Sequence, residues 1–148
     1  MRVTGFFLGV LAVGAMLSHS GVATPGVAGS PVWREWSPRV FEQARREQRL
    51  VLLAIVAEWC QLCKKMDLTA YRDPKVTELI GQRYVAVRAD IDKEPEIKRR
   101  YGNYGVPAVV ILDADGTEIA KRRGYLEPEW LYWMLVAVAD NPDPAAHR

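Results

Sequence analysis

Two cysteines with two residues between them are the side chains of this sequence best suited to chemistry. Cys60 and Cys63 are the only cysteines in the 148-residue chain, and Gln61 and Leu62 separate them. If the pair begins a helix, the free N–H groups and the positive dipole end of the first turn stabilise a thiolate on Cys60, the form that attacks disulfides. Cys63 then lies on the same helix face, where it can resolve a mixed disulfide. We therefore expect Cys60 to be the nucleophile and Cys63 the less exposed resolving thiol.

Metal binding is the main alternative for this pair. A structural zinc ion needs four ligands, and the other soft donors are His19, in an apolar N-terminal stretch, and His147, near the end of the chain. A zinc site is therefore disfavoured, whereas transfer of copper(I) through the two thiols remains an alternative. An inert buried pair is also disfavoured, because helix starts are partly exposed and the neighbouring Lys64 and Lys65 favour a thiolate.

The elements around the cysteines support a site between a strand and a helix. Residues 50–57 (LVLLAIVA) form a continuous apolar run typical of a central strand covered on both faces. A helical pattern follows from Cys60 to Ala70. Asp73-Pro74 begins a second helical stretch, which Gly81 is expected to end. The dithiol thus lies directly after a buried strand.

The rest of the chain alternates between sequence patterns typical of helices and of strands. Ser37 and Pro38 predict a capped helix start, and Asp115-Gly116 predicts a tight turn between antiparallel strands. The order of elements predicts an α/β fold with a mixed central sheet flanked by helices. Further helices are predicted at residues 38–49, 95–101 and 128–139, and further strands at 84–89, 108–112 and 117–121.

The N-terminus has the order of an export signal. Arg2 precedes an apolar run of about 13 residues, and small residues follow up to Ala23. A membrane span needs about 20 residues, so we expect residues 1–23 to be a signal peptide rather than an anchor. We expect a linker at 24–31, a folded domain at 32–140 and a flexible tail at 141–148. Trp33 and Trp36 are expected to pack against the domain.

Composition and charge exclude other classes of protein. Hydrophobic residues make up 49% of the chain and charged residues 26%, which excludes wholesale disorder. The formal net charge of +2 is too small to indicate a nucleic-acid partner. Asp90 and Asp92 are expected to be solvated at a strand end, because the spaced ligands and glycine of a calcium loop are absent around them.

Several motifs together resemble the thioredoxin superfamily, over roughly residues 32–139. They most resemble an exported subgroup that includes the C-terminal domain of the transmembrane thiol reductant conductor DsbD. A CxxC pair alone is a weak signal, but one between a strand and a helix, with Gly-Val-Pro before a later strand, is strong. The motifs lie at 57–64 (AEWCQLCK), 66, 71–76 (YRDPKV), 90–92 (DID), 101–107 (YGNYGVP), 115–116 and 124.

The resemblance implies further site residues. Val106-Pro107 would be a cis peptide bond beside the dithiol, where the backbone of Val106 could bind an incoming substrate chain as a strand does. Independently of the resemblance, the large aromatic side chain of Trp59 next to Cys60 is expected both to pack beside the site and to contact substrate. The family often has a buried acid six residues before the first cysteine, but here that residue is Ala54. Proton transfer would then go through water, Glu58 or the substrate.

The sequence therefore predicts a thioredoxin-like thiol–disulfide oxidoreductase that reduces disulfides of exported proteins, in the periplasm or after secretion. Cys60 and Cys63 would be catalytic, and Trp59, Val106 and Pro107 would bind substrate. No cofactor is required, since electrons would arrive from another dithiol, expected to be that of a membrane thiol reductase. We expect a monomer that binds no nucleic acid. The alternatives are a disulfide oxidase or isomerase of the same fold and a non-enzymatic thiol-based binding or copper-handling module.

Overall fold

A five-stranded mixed sheet forms the centre of the molecule. The structure is a computed structural model and describes residues 29–148. The strand order is β1-β3-β2-β4-β5, in which β1, β3 and β2 run parallel and β4 is antiparallel to both β2 and β5. The strands are β1 (Arg34–Glu35), β2 (Leu50–Val56), β3 (Tyr84–Asp90), β4 (Ala108–Leu112) and β5 (Glu118–Arg123).

Five helices surround this sheet, so the predicted α/β class and its thioredoxin-like architecture are confirmed. The helices are α1 (Pro38–Glu47), α2 (Gln61–Leu68), α3 (Pro74–Arg83), α4 (Pro95–Tyr101) and α5 (Pro128–Asp140), with short 3-10 turns at Ala70–Arg72 and Pro144–His147. Within residues 29–148, none of the helices has both the length and the apolar character needed to span a membrane.

Two apolar clusters, one on each face of the sheet, form the core. Alternate residues of β2 divide between them: Leu53 and Ile55 belong to the first cluster and Leu52 to the second, and all three are fully buried. Burying one such side chain contributes about 1.5 to 3 kcal/mol before the entropic cost. The first cluster includes residues of α1 and α4, and the second includes residues of α3 and α5. Helix α2 contributes to both, so it is held at the edge of the sheet.

Strand β1 was not predicted from the sequence. Two residues are too few to give a periodic pattern, and the strand exists because Arg34 and Glu35 pair with β3. The tryptophans on either side hold it, Trp33 edge-on to Tyr71 at 4.9 Å and Trp36 edge-on to Phe41 at 5.3 Å. The expectation that these tryptophans pack against the domain agrees with these contacts.

The end of α3 and the capping of α1 differ from prediction. Gly81 lies inside α3, which continues to Arg83, so the expectation that this glycine ends the helix is wrong. Glycine costs about 1 kcal/mol within a helix, and here the packing of α3 against the second cluster outweighs that cost. Ser37 does occupy the N-cap of α1, but its hydroxyl makes no capping hydrogen bond. At α3, by contrast, Asp73 is a true cap, since its carboxylate accepts hydrogen bonds from the N–H groups of Lys75 and Val76.

The two ends of the chain leave part of the predicted organisation open. The predicted signal peptide at 1–23 and residues 24–28 of the predicted linker lie outside the described residues. The tail, predicted to be flexible, contains the 3-10 turn Pro144–His147, where the ring of His147 lies 2.6 Å from the carbonyl oxygen of Asn141. The flexibility of the tail stays a prediction.

Candidate functional site

The two cysteines lie where β2 gives way to α2. After β2, the chain turns so that the N–H of Cys60 donates to the carbonyl of Ala57 at 3.1 Å. Cys60 is the N-cap of α2, and its Sγ accepts a hydrogen bond from the N–H of Cys63 at 3.1 Å. A backbone donor of the first helical turn therefore points at the first sulfur, as the sequence predicts. This contact favours a thiolate at that atom once the pair is reduced.

Cys60 and Cys63 form a disulfide, with their Cα atoms 5.2 Å apart. Cys60 is 5% exposed and Cys63 3% exposed, so Cys63 is slightly the less accessible of the two. The first cysteine is more buried than a helix start suggests, because both belong to the first apolar cluster together with Ala57, Ile91 and Ala108. A partner therefore has access to only a small part of either cysteine.

Trp59, next to the first cysteine, is exposed but held in place. Its side chain is 66% exposed, and its indole Nε1–H donates to Asp92 Oδ2 at 2.9 Å. The other oxygen of Asp92 lies 3.4 Å from the Lys98 ammonium. The hydrogen bond from Trp59, followed by that from Lys98, lowers the pKa of Asp92, so this carboxylate stays ionised near neutral pH. Asp92 was expected to be merely solvated, and the partner it has here lies 33 residues away in sequence.

Glu58 is engaged with a residue of the loop that follows β3. Its carboxylate is 2.6 Å from the ammonium of Lys93, and this hydrogen bond lowers the pKa of Glu58. A carboxylate that is harder to protonate is a weaker base, which disfavours the proton-transfer role considered for Glu58. Ala54 is buried in the second cluster, on the opposite face of the sheet from the cysteines. The described site therefore offers water and the substrate as the remaining proton carriers.

The loop before β4 forms a second wall of the site. The Val106–Pro107 peptide bond is cis, Pro107 is buried and Val106 is half-buried. Tyr104 and Val106 pack against the cluster that contains both cysteines. The N–H of Gly124 donates to the carbonyl of Pro107 at 2.8 Å, which ties the loop to the end of β5. The structure therefore places Cys60, Cys63 and Val106 at one apolar cluster. Pro107 is the buried neighbour of Val106, and Trp59 is the exposed neighbour of Cys60.

Metal ligands are not gathered at this site. Across residues 29–148, no group of three or more histidine, cysteine, aspartate or glutamate side chains is arranged to hold a metal ion. The arrangement is that of a dithiol in exchange with its disulfide, which needs two sulfurs and an approaching partner only.

A CxxC disulfide at the N-cap of a helix, in a mixed sheet with a cis-proline loop beside it, defines a protein of the thioredoxin superfamily. The chain belongs to the Thioredox_DsbH family, described as "Protein of unknown function, DUF255", whose model matches residues 26–116.

Similar sequences include proteins of the thiol–disulfide exchange class. The chain is 27% identical over 117 residues to the thiol:disulfide interchange protein DsbD of Ralstonia nicotianae, covering 74% of this chain and 19% of that protein. It is 25% identical over 75 residues to human spermatogenesis-associated protein 20, covering 50% of this chain and 10% of that protein. The chain thus spans between a tenth and a fifth of the length of these relatives.

Solved structures agree on the fold. A thioredoxin from Thermus thermophilus superposes with a TM-score of 0.69 at 24% identity, covering 80% of this chain and 94% of the other. A DsbH oxidoreductase superposes with a TM-score of 0.61 at 21% identity, covering 78% and 89%. These likenesses establish the thioredoxin-like fold.

Proposed function

We propose that this protein is a thiol–disulfide oxidoreductase that reduces disulfides of exported proteins. The observation that carries the proposal is the hydrogen bond from the N–H of Cys63 to Sγ of Cys60 at the start of α2. It supplies the first sulfur with a donor that stabilises its anion. It also places Cys63 one helical turn further along α2, where its sulfur can close the disulfide. The matched DsbD relatives, whose name is thiol:disulfide interchange protein, support the same class of reaction.

The reaction needs two exchange steps. In the first, the Cys60 thiolate attacks one sulfur of the substrate disulfide, which breaks the substrate S–S bond, forms a mixed disulfide and releases one substrate thiolate. In the second, the Cys63 thiolate attacks Cys60 Sγ, closes the Cys60–Cys63 disulfide and releases the other substrate thiolate. The substrate gains two electrons and the protein loses two. Protons from water neutralise the released thiolates, and another protein dithiol must then return the two electrons.

The residues next to the dithiol suit a polypeptide substrate. Trp59 offers an exposed aromatic face beside Cys60, and the half-buried Val106 offers backbone groups to an extended chain. Pro107 is buried behind Val106 and shapes the loop rather than contacting much substrate. We assign substrate contact to Trp59 and Val106, the shaping of the substrate-binding loop to Pro107, and exchange chemistry to Cys60 and Cys63.

Reduction is favoured over oxidation by the surroundings of the first sulfur. A dithiol becomes a strong oxidant when its reduced form is strongly stabilised. Here the intervening residues Gln61 and Leu62 carry no charge, and solvent screens the charge of the exposed Lys64. The ammonium of Lys65 lies 4.2 Å from the ring centroid of Tyr125. One backbone donor is a modest stabiliser, so we expect a reduction potential nearer to about −270 mV than to about −120 mV.

The cellular context belongs to the same proposal. A reductant outside the cytoplasm must be kept reduced against an oxidising environment, so we propose a membrane thiol reductase as its electron donor. We also propose that residues 1–23 direct export to the periplasm or beyond, that residues 24–31 link them to a domain at 32–140, and that the protein acts as a monomer without a cofactor.

The test combines trapping with a redox titration. Cys63→Ser should accumulate a mixed disulfide with a disulfide-bonded peptide, while Cys60→Ser should form none, because only the first sulfur attacks. Equilibration of the wild-type protein with glutathione buffers should give a reduction potential of about −270 mV for the Cys60–Cys63 pair. Full reductase activity in either serine variant would contradict the assignment of the site, and a potential near about −120 mV would instead identify an oxidase.

A further inference from the structure

A strongly basic cavity lies beside the candidate site and has no part in the exchange chemistry. It has a volume of about 300 Å³ and is lined by residues 98–104 and by Lys121. Residues 98–104 (KRRYGNY) carry three cations and no acid, and residues 121–123 (KRR) carry three more. This cationic surface, defined as Lys98, Arg99, Arg100, Lys121 and Arg123, runs from α4 across the loop to the end of β5.

The charges of this surface are only partly balanced. Lys98, Arg100 and Lys121 each have a carboxylate within 4 Å, from Asp92, Glu96 and Glu118 respectively. Arg99 and Arg123 have no carboxylate within that distance among residues 29–148, and both are exposed. The surface therefore presents two guanidinium groups that have no carboxylate partner among residues 29–148, and guanidinium groups bind carboxylates in a planar, bidentate manner.

Two sets of contacts join the cationic surface to the dithiol. On one side, Lys98 binds Asp92, which holds the indole of Trp59. On the other side, the aliphatic chain of Arg123 lies against Gly105, where an added Cβ would be 3.3 Å from its Cδ. The Arg123 guanidinium points at the carbonyl of Tyr104 at 3.5 Å. A polypeptide in contact with Val106 would therefore extend along these cations.

We infer that the cationic surface selects disulfide substrates that carry aspartate or glutamate beside the reacting cystine. This inference rests on the proposed function, since it names the class of substrate for the same site. Carboxylates flanking the cystine reach Arg99 and Arg123 while the cystine sulfur faces Cys60. Complementary charges raise the rate of encounter and orient the substrate, and they leave the exchange step itself unchanged.

The experiment compares three peptides that contain the same disulfide, flanked by glutamate, by glutamine or by lysine. At low ionic strength the reduced protein should react with the glutamate peptide about tenfold faster in kcat/KM than with the lysine peptide. The difference should shrink at 1 M salt, where the screening length is about 3 Å. Arg99→Glu should reverse the preference, and Arg123→Gln should reduce it several-fold, both with an unchanged rate on the glutamine peptide.

The strand itself supplies a matched control. Arg122 is the neighbour of Arg123 and is also exposed, but it lines a separate apolar groove with Trp130 and Trp133 and so faces away from the cationic surface. Arg122→Gln removes the same charge and should leave the preference unchanged. Equal rates on the three peptides, or equal effects of Arg122→Gln and Arg123→Gln, would overturn the inference. Exchange with none of the peptides would reject the proposed function and this inference with it.

Discussion

Asp92 is the residue near the candidate site whose role depends most on a partner distant in sequence. Its carboxylate accepts the indole N–H of Trp59 with one oxygen and faces Lys98 with the other. A large exposed aromatic ring would otherwise move among several rotamers beside the cysteines. The hydrogen bond therefore holds Trp59 in one orientation and connects the dithiol loop to the cationic surface.

This hydrogen bond predicts a pH dependence for Trp59. Because the pKa of Asp92 is lowered from 3.8 in the folded protein, the interaction is fully present above pH 3.8. It weakens as the pH falls through the lower folded value. The fluorescence difference between wild type and Trp59→Phe should stay constant from pH 8 to pH 5 and change with a midpoint below 3.8.

Asp92→Asn is the control for this titration, because the amide still accepts the indole N–H and does not titrate. The same fluorescence difference, measured with and without Trp59→Phe in the Asp92→Asn background, should lack the acidic transition. Circular dichroism verifies that the wild type and Asp92→Asn remain folded across this pH range. A midpoint at or above 3.8 in the wild type would show that Trp59 does not stabilise the ionised carboxylate.

At the scale of elements, one ion pair connects the dithiol helix to the sheet. Asp67 lies one turn beyond Cys63 in α2, and both of its oxygens accept from the guanidinium of Arg88 in β3. Both side chains are about one-third exposed, and the guanidinium carbon of Arg88 lies 4.5 Å from the ring centroid of Trp33. The pair therefore joins α2, β3 and the segment before β1 at one point.

Loss of this pair should destabilise the protein measurably. Asp67→Asn should lower the free energy of unfolding by about 1 to 2 kcal/mol, because a bidentate charged contact is lost and Arg88 is left partly buried. Urea unfolding of the oxidised protein measures the change. The matched control is Asp140→Asn, since Asp140 faces Arg83 at 3.7 Å with both side chains more exposed. Asp140→Asn should lower the free energy of unfolding by less than about 0.5 kcal/mol. Equal losses in the two variants would contradict this ranking.

Across the whole molecule, buried tyrosines connect the layers. The hydroxyl of Tyr84 in β3 donates to the carbonyl of Leu135 in α5 at 2.6 Å. That of Tyr101 in α4 donates to Glu118 in β5 at 3.1 Å. Burial raises the pKa of Tyr101 to about 12 and raises the pKa values of Tyr71 and Tyr84 further. The folded protein therefore keeps all three phenols neutral where an unfolded chain would ionise them.

Stability should consequently fall at alkaline pH. The contribution of each raised pKa is complete below the ordinary value of 10.0 and is lost as the pH rises towards the folded value. Between these two values, each tyrosine lowers the free energy of unfolding by about 1.4 kcal/mol per pH unit. Urea unfolding at pH 9, 10 and 11 should show this decline, and Tyr84→Phe should reduce its slope. A slope unchanged by Tyr84→Phe would contradict the neutral buried phenol.

Much of the fold and the reacting pair could be predicted from local patterns. The run at 50–57 identified β2, the pair Cys60 and Cys63 identified the start of α2, and Asp115-Gly116 identified the turn before β5. Each of these features depends on neighbours within a few residues, such as alternation, capping or turn conformation. Gly116 has a φ of +87°, which glycine adopts without strain.

The sequence alone determined the class of chemistry, because a CxxC pair between a strand and a helix depends on local spacing. The tertiary structure decided which distant side chains complete the site. Asp92 meets Trp59 and Asp67 meets Arg88 only after the parallel crossover pairs β2 with β3. Arg123 lies against Gly105 only in the register of the antiparallel pair β4–β5. Such pairings depend on strand order and register, which no periodicity within one segment encodes.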